Sequence, residues 1–102
     1  MNGENDIRQS YAEYDQESSR IFFKLFNEFR MEADAVEKDG DENVFQTLRA
    51  KYSSLLKQRL ERTAGLIITK YDAAGSQGRL RISFAEKIKY YQKEFTRKSE
   101  AL

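Results

Sequence analysis

NVFQTLRAKYSSLLKQRLERTAGLIITKY, residues 43–71, decides the fold class. Phe45, Leu48, Tyr52, Leu55, Leu56, Leu60, Thr63, Ile67 and Tyr71 recur at three- and four-residue steps, the period of a helix with one buried stripe. Asn43 is predicted to cap the free amides at its start, with Gln46 in the reciprocal capping-box position. The stretch therefore predicts one helix over about 43–72. No proline interrupts it or any other part of the 102 residues, and Glu, Lys, Gln, Arg and Leu are abundant. The chain is expected to be all-α and, at this length, a single domain spanning 1–102.

Working outward, Ile7, Tyr11, Tyr14, Phe22, Leu25, Phe29, Ala33 and Val36 set a second stripe over about 6–38, with Ser18 filling its one gap. This is either one continuous helix or two helices broken at Ser18-Ser19, where hydroxyls compete for backbone bonds. Lys38 and Gly40 read as its C-terminal end, and Asp39-Gly40-Asp41 as a tight connection. On the other side, residues 73–81 carry two glycines and no periodic apolar signal and are predicted to be a flexible loop. A third helix is predicted over 83–99, opened by the capping box Ser83-Phe84-Ala85-Glu86, with Phe84, Ile88, Tyr91, Phe95 and Leu102 facing inward. The expected architecture is a bundle of three long antiparallel helices.

Composition excludes much chemistry. The chain has no cysteine and no histidine, which removes the commonest zinc ligands, the usual neutral-pH general base and every Ser/His or Cys/His nucleophile. Glu28/Glu32 and Glu37/Asp41 have spacings open to acid/base work or a hard cation, but charged helix faces generate such pairs routinely, and no Gly-rich phosphate loop or activated nucleophile accompanies them. No catalytic residue, metal site, cofactor or small-molecule substrate is expected. The longest apolar runs are three residues, as at Leu66-Ile67-Ile68, and the N-terminus is acidic, so neither a membrane span nor a signal peptide is predicted.

Near-neutral total charge conceals an asymmetry: residues 1–48 hold twelve acidic and five basic side chains, residues 49–102 five acidic and thirteen basic. Two arrangements accommodate this. The acidic helix lies against the basic ones, or the basic half faces an acidic partner or a nucleic-acid backbone. For the latter, Lys51, Arg62, Arg79, Arg81, Lys89 and Lys93 are the candidate contacts, nonspecific because no DNA-reading motif is present.

Several residues do not fit a simple bundle. Arg59 projects near the middle of the apolar stripe of the helix over 43–72, between Leu55, Leu56 and Thr63, which calls for a buried ion pair with Glu32 or for a side chain that snorkels to the edge. Phe22, Phe23, Phe26 and Phe29 place four large rings within about two turns, more than one face buries, and Tyr90 lies off the face of Tyr91. These five aromatics mark a second contact surface for a protein partner, whether sister subunits or further copies of the chain.

The stretch from Phe45 to Tyr71 with Leu80 to Leu102 resembles the paired helices of the helical domain of GINS-complex subunits. On the long helix the resemblance rests on Tyr52, Leu55, Leu56, Arg59, Leu60 and Arg62, an aromatic, leucines and a basic-leucine-basic pattern. After a loop it continues in Ser83, Glu86, Tyr90, Tyr91 and Phe95, and the acidic helix from Phe22 to Val36 is in the corresponding place. Members of the family usually add a small β-rich domain, for which this sequence supplies no strands. The resemblance implies a noncatalytic scaffold subunit that packs long helices against sister subunits and links the replicative helicase to other replication proteins. Such a subunit works inside the cell, in the nucleus of a eukaryote and otherwise in the cytoplasm, and Arg59 would be structural.

Overall fold

A computed structural model describes residues 3–37, 42–71 and 77–101. All three regions are helical: α1 is Gly3–Glu37, α2 Glu42–Tyr71 and α3 Gln77–Glu100. Consecutive helices run antiparallel. On α1, Glu13 meets Lys70 of α2 while Glu32 meets Lys51, and α3 returns alongside α1, with Tyr11 beside Ser83 and Phe26 beside Phe95. The all-α bundle expected from the stripes is the one observed. Among the described residues there is no strand.

The burial pattern has an eleven-residue spacing. On α1 it relates Ile7, Ser18 and Phe29, then Tyr11, Phe22 and Ala33, then Tyr14, Leu25 and Val36, all buried or half-buried. On α2 it relates Phe45, Leu56 and Ile67, and on α3 Phe84 with Phe95 and Ile88 with Ser99. Eleven residues over three turns is about 3.67 per turn, close to the intrinsic helix, so the stripe stays aligned with little supercoiling. Long straight rods follow: the molecule measures 58 × 19 × 18 Å.

α1 is continuous through Ser18-Ser19. Ser18 is fully buried and returns its hydroxyl to the Asp15 carbonyl (3.3 Å), as Ser10 does to Ile7 (2.7 Å). Bonding within their own helix lets these small polar residues occupy stripe positions without breaking it. Glu42 opens α2, one residue before the expected cap, so Asn43 lies in the first turn, and the Gln46 amide donates to Glu42 (3.4 Å). The predicted ends around Lys38, Asp39, Gly40 and Asp41 lie outside the described residues.

α3 corrects the expectation most. It begins at Gln77, so residues 77–81 are helix rather than loop, and Ser83 is an interior residue rather than an N-cap. The cause is Leu80, which is buried and extends the Phe84–Ile88 row by one turn. Ser83 instead shares a 3.2 Å hydrogen bond with the Tyr11 hydroxyl. The remainder of the predicted loop, residues 73–76, lies outside the described residues.

The core is one cluster with Phe29 at its centre, its ring 5.1 Å from Phe95, 5.9 Å from both Phe45 and Tyr52 and 6.1 Å from Phe26. Close backbone approach is most extensive between α1 and α2 and least between α1 and α3. Aromatic pairs bridge the α1/α3 seam: Tyr14 stacks on Phe84 (4.2 Å), Phe22 meets Tyr91 (5.2 Å) and Phe26 meets Phe95 edge-on (5.8 Å). Bulky rings hold these two backbones apart and leave a groove along the outside of the seam.

Candidate interaction surface

The four phenylalanines of α1 divide between core and surface. Phe22 and Phe29 are buried and Phe26 is half-buried, each against α3, so the expected surplus of rings is largely absorbed within the bundle. A helix in a three-helix bundle packs along two flanks, and this broadens the face it can bury. Phe23, 54% exposed, is the one left outside. Tyr90, 55% exposed, is outside as expected.

Phe23 and Tyr90 belong to different helices but line one cleft of about 250 Å³, together with Ser19, Phe22, Tyr91 and Lys98. Phe23 lies edge-on to Phe22 (5.7 Å) and Tyr90 edge-on to Tyr91 (5.2 Å), so each exposed ring is braced by a more buried one. The Lys98 ammonium sits over Phe22, Phe23 and Phe26, at 5.4, 5.6 and 5.9 Å from their ring centres. Attraction to three ring faces holds this cation at the rim. Nearby, Arg97 pairs with Glu94 at 2.7 Å. Sequence reasoning missed Lys98. The available signal was its place eleven residues after Lys87, which reaches α1 through Asp15.

Part of the charge asymmetry is satisfied inside the bundle. Glu13 accepts from Lys70 (2.9 Å) and from the Tyr71 hydroxyl (2.7 Å), and these bonds hold its carboxyl below the usual range and Lys70 above its own. Asp15 pairs with Lys87, and Lys51 reaches Glu32 at 4.0 Å. The other five candidate phosphate contacts, Arg62, Arg79, Arg81, Lys89 and Lys93, are exposed and form no ion pair among the described residues. They do not make one stripe: Arg62 lies on α2, and Arg81 lies roughly 120° around α3 from Lys93.

The expected buried pair between Arg59 and Glu32 is not formed. Both residues are exposed, and the Glu32 carboxylate accepts instead from the Tyr52 hydroxyl at 2.8 Å. Burial, then this bond, push the Tyr52 phenol up to about 12, against a small opposing effect of the Arg59 charge. Of the carboxylate pairs, Glu32 is thus occupied, and Glu37/Asp41 lies outside the described side chains. Among the described residues no three acidic side chains gather to hold a metal ion, and no helix is long and apolar enough to cross a membrane.

The surface thus carries an aromatic cleft with the Lys98 cation on its rim. Comparison of the chain with protein-family models, curated proteins and solved structures finds no match in any of the three.

Proposed function

We propose that this chain is a noncatalytic helical interaction module whose protein partner docks on the α1/α3 seam. The supporting observation is the convergence of Phe23 and Tyr90, from two helices, on one cleft. Large rings braced from behind lose little freedom on binding, which is what interface anchors need. In its most specific form the module is a scaffold subunit of the GINS type in DNA replication, supported by the resemblance at Tyr52–Arg62 and Ser83–Phe95. Its place would then be inside the cell, with the replication machinery. Phe23→Asp should remove the chain from assemblies purified from its native cell, weakening the contact by about 2 kcal/mol or more, with unchanged helicity. An assembly of unaltered mass and composition would refute the proposal.

A second reading, a nucleic-acid-binding accessory protein, is favoured by Arg62, Arg79, Arg81, Lys89 and Lys93, five cations with no ion pair among the described residues. It requires oligonucleotide binding that falls steeply with added salt. No mobility shift at low salt removes it.

A further inference from the structure

Resting on the protein-docking reading, we infer that the α1/α3 groove receives one acidic amphipathic helix of a partner protein, which sets an apolar side chain between Phe23 and Tyr90 and carboxylates beside Lys98.

The groove has the dimensions of such a ligand. Two clefts lie along the same seam, one of about 260 Å³ at Tyr11, Asp15, Ser83 and Lys87 and one of about 250 Å³ at Phe23, Tyr90 and Lys98. Each is smaller than the ~300–1,000 Å³ of small-molecule sites and has room for one or two side chains. On α1 they are eight residues apart, from Tyr11 and Asp15 to Ser19 and Phe23. That is about 12 Å, the separation of side chains two turns apart on a docked helix.

The sign of the rim selects the ligand. Asp15 is neutralised by Lys87 and Glu94 by Arg97, whereas Lys98 has no carboxylate partner among the described residues. Farther along the same side of α1, exposed Arg30 and Asp34, seven and eleven residues beyond Phe23, offset each other, so the excess charge at the cleft is that of Lys98. The rim is therefore net positive around an apolar floor. A second copy of this chain fits poorly, since a two-fold contact through the cleft would bring Lys98 against Lys98. A nucleic-acid strand would follow Lys89 and Lys93, which have no ion pair among the described residues and lie off the groove-facing side of α3.

The test is fluorescence anisotropy with labelled helical peptides that carry leucines seven residues apart, flanked either by glutamates or, in a matched control, by lysines. The glutamate peptide should bind at least about tenfold more tightly than the lysine peptide. Phe23→Ala should weaken it about thirtyfold. Lys98→Glu should reverse the preference and Lys98→Gln should reduce it, with circular dichroism verifying that each variant is folded. Equal binding of the two peptides, a preference of the native chain for lysine, or affinity unmoved by Phe23→Ala and Lys98→Glu overturns the inference. So does displacement of the glutamate peptide by oligothymidylate, or self-association that Phe23→Ala abolishes. If the peptides fail while Phe23→Asp still releases the native partner, the acidic helix is wrong and the docking reading stands. If Phe23→Asp also changes nothing, both fall.

Discussion

Phe29→Ala is expected to lower the unfolding free energy by about 3–5 kcal/mol, enough to unfold a substantial fraction of a domain whose total stability is of the order of 5–15 kcal/mol. Phe29 is 0% exposed and its ring contacts Phe26 on its own helix, Phe45 and Tyr52 on α2 and Phe95 on α3. Truncation removes buried area and opens a cavity where all three helices meet. The neighbours cannot close it easily, because rigid rings from all three helices line it, and Tyr52 is anchored by Glu32 and Phe95 by Phe26. Phe23→Ala, less than two helical turns earlier on the same helix, should change stability by no more than about 0.5 kcal/mol, since its ring already faces solvent. Urea unfolding followed by circular dichroism separates the two. Equal losses would mean that Phe29 is not the centre of the core.

That contrast also shows how much of the molecule was legible beforehand. The stripes on α1 and α2 identified the helices because burial there follows the helical period closely. The start of α3 is hidden in the sequence because Ser83 with Glu86 is a strong local capping signal and Leu80 stands isolated, and only the surface against which Leu80 packs reveals that the helix has already started. Arg59 departs from its sequence-based place for a different reason. Taking every stripe position as equally inward places it beside Leu55 and Leu56, yet on α2 the row Phe45–Leu56–Ile67 is buried or half-buried throughout, while the flanks of the band differ between its two ends. Leu48 is buried, Arg59 and Lys70 at eleven-residue steps beyond it are exposed, and on the other flank Ile68 is buried while Lys57 is not. A helix that packs on two neighbours keeps the middle of its band but gains one flank and loses the other as they cross it, and no single wheel records this. The cleft was half legible: Phe23 and Tyr90 stood out as misfits, but their meeting, and the presence of Lys98 over three rings, depend on the register between α1 and α3. A one-helix pattern holds no information about that register.

Between about pH 10 and 12 the fold is expected to lose stability progressively, driven by tyrosines that must stay protonated to remain packed. Tyr14 is buried and donates its hydroxyl to the Leu60 carbonyl at 3.0 Å, and burial pushes its phenol far above the ordinary value of 10. Tyr52 is held at about 12 by burial and by its bond to the Glu32 carboxylate. In the unfolded chain both phenols ionise near 10. Above that pH the unfolded state binds fewer protons than the folded one, so stability falls as pH rises, and below it the contribution is fully present. For Tyr52 the loss should be about 1–2 kcal/mol by pH 12, less than the full shift implies because its hydroxyl lies near the solvent edge. Tyr14 continues to cost stability beyond that point. Lys87, raised mainly by its bond to Asp15, acts in the same direction as it deprotonates. The double variant Tyr14→Phe/Tyr52→Phe should lose about 1–3 kcal/mol at neutral pH with its two hydrogen bonds, yet show a much shallower decline from pH 10 to 12. Urea midpoints measured at half-unit intervals of pH decide it. If the double variant declines as steeply as the native chain, the alkaline limb belongs to other groups, and Tyr14 and Tyr52 are held by packing alone.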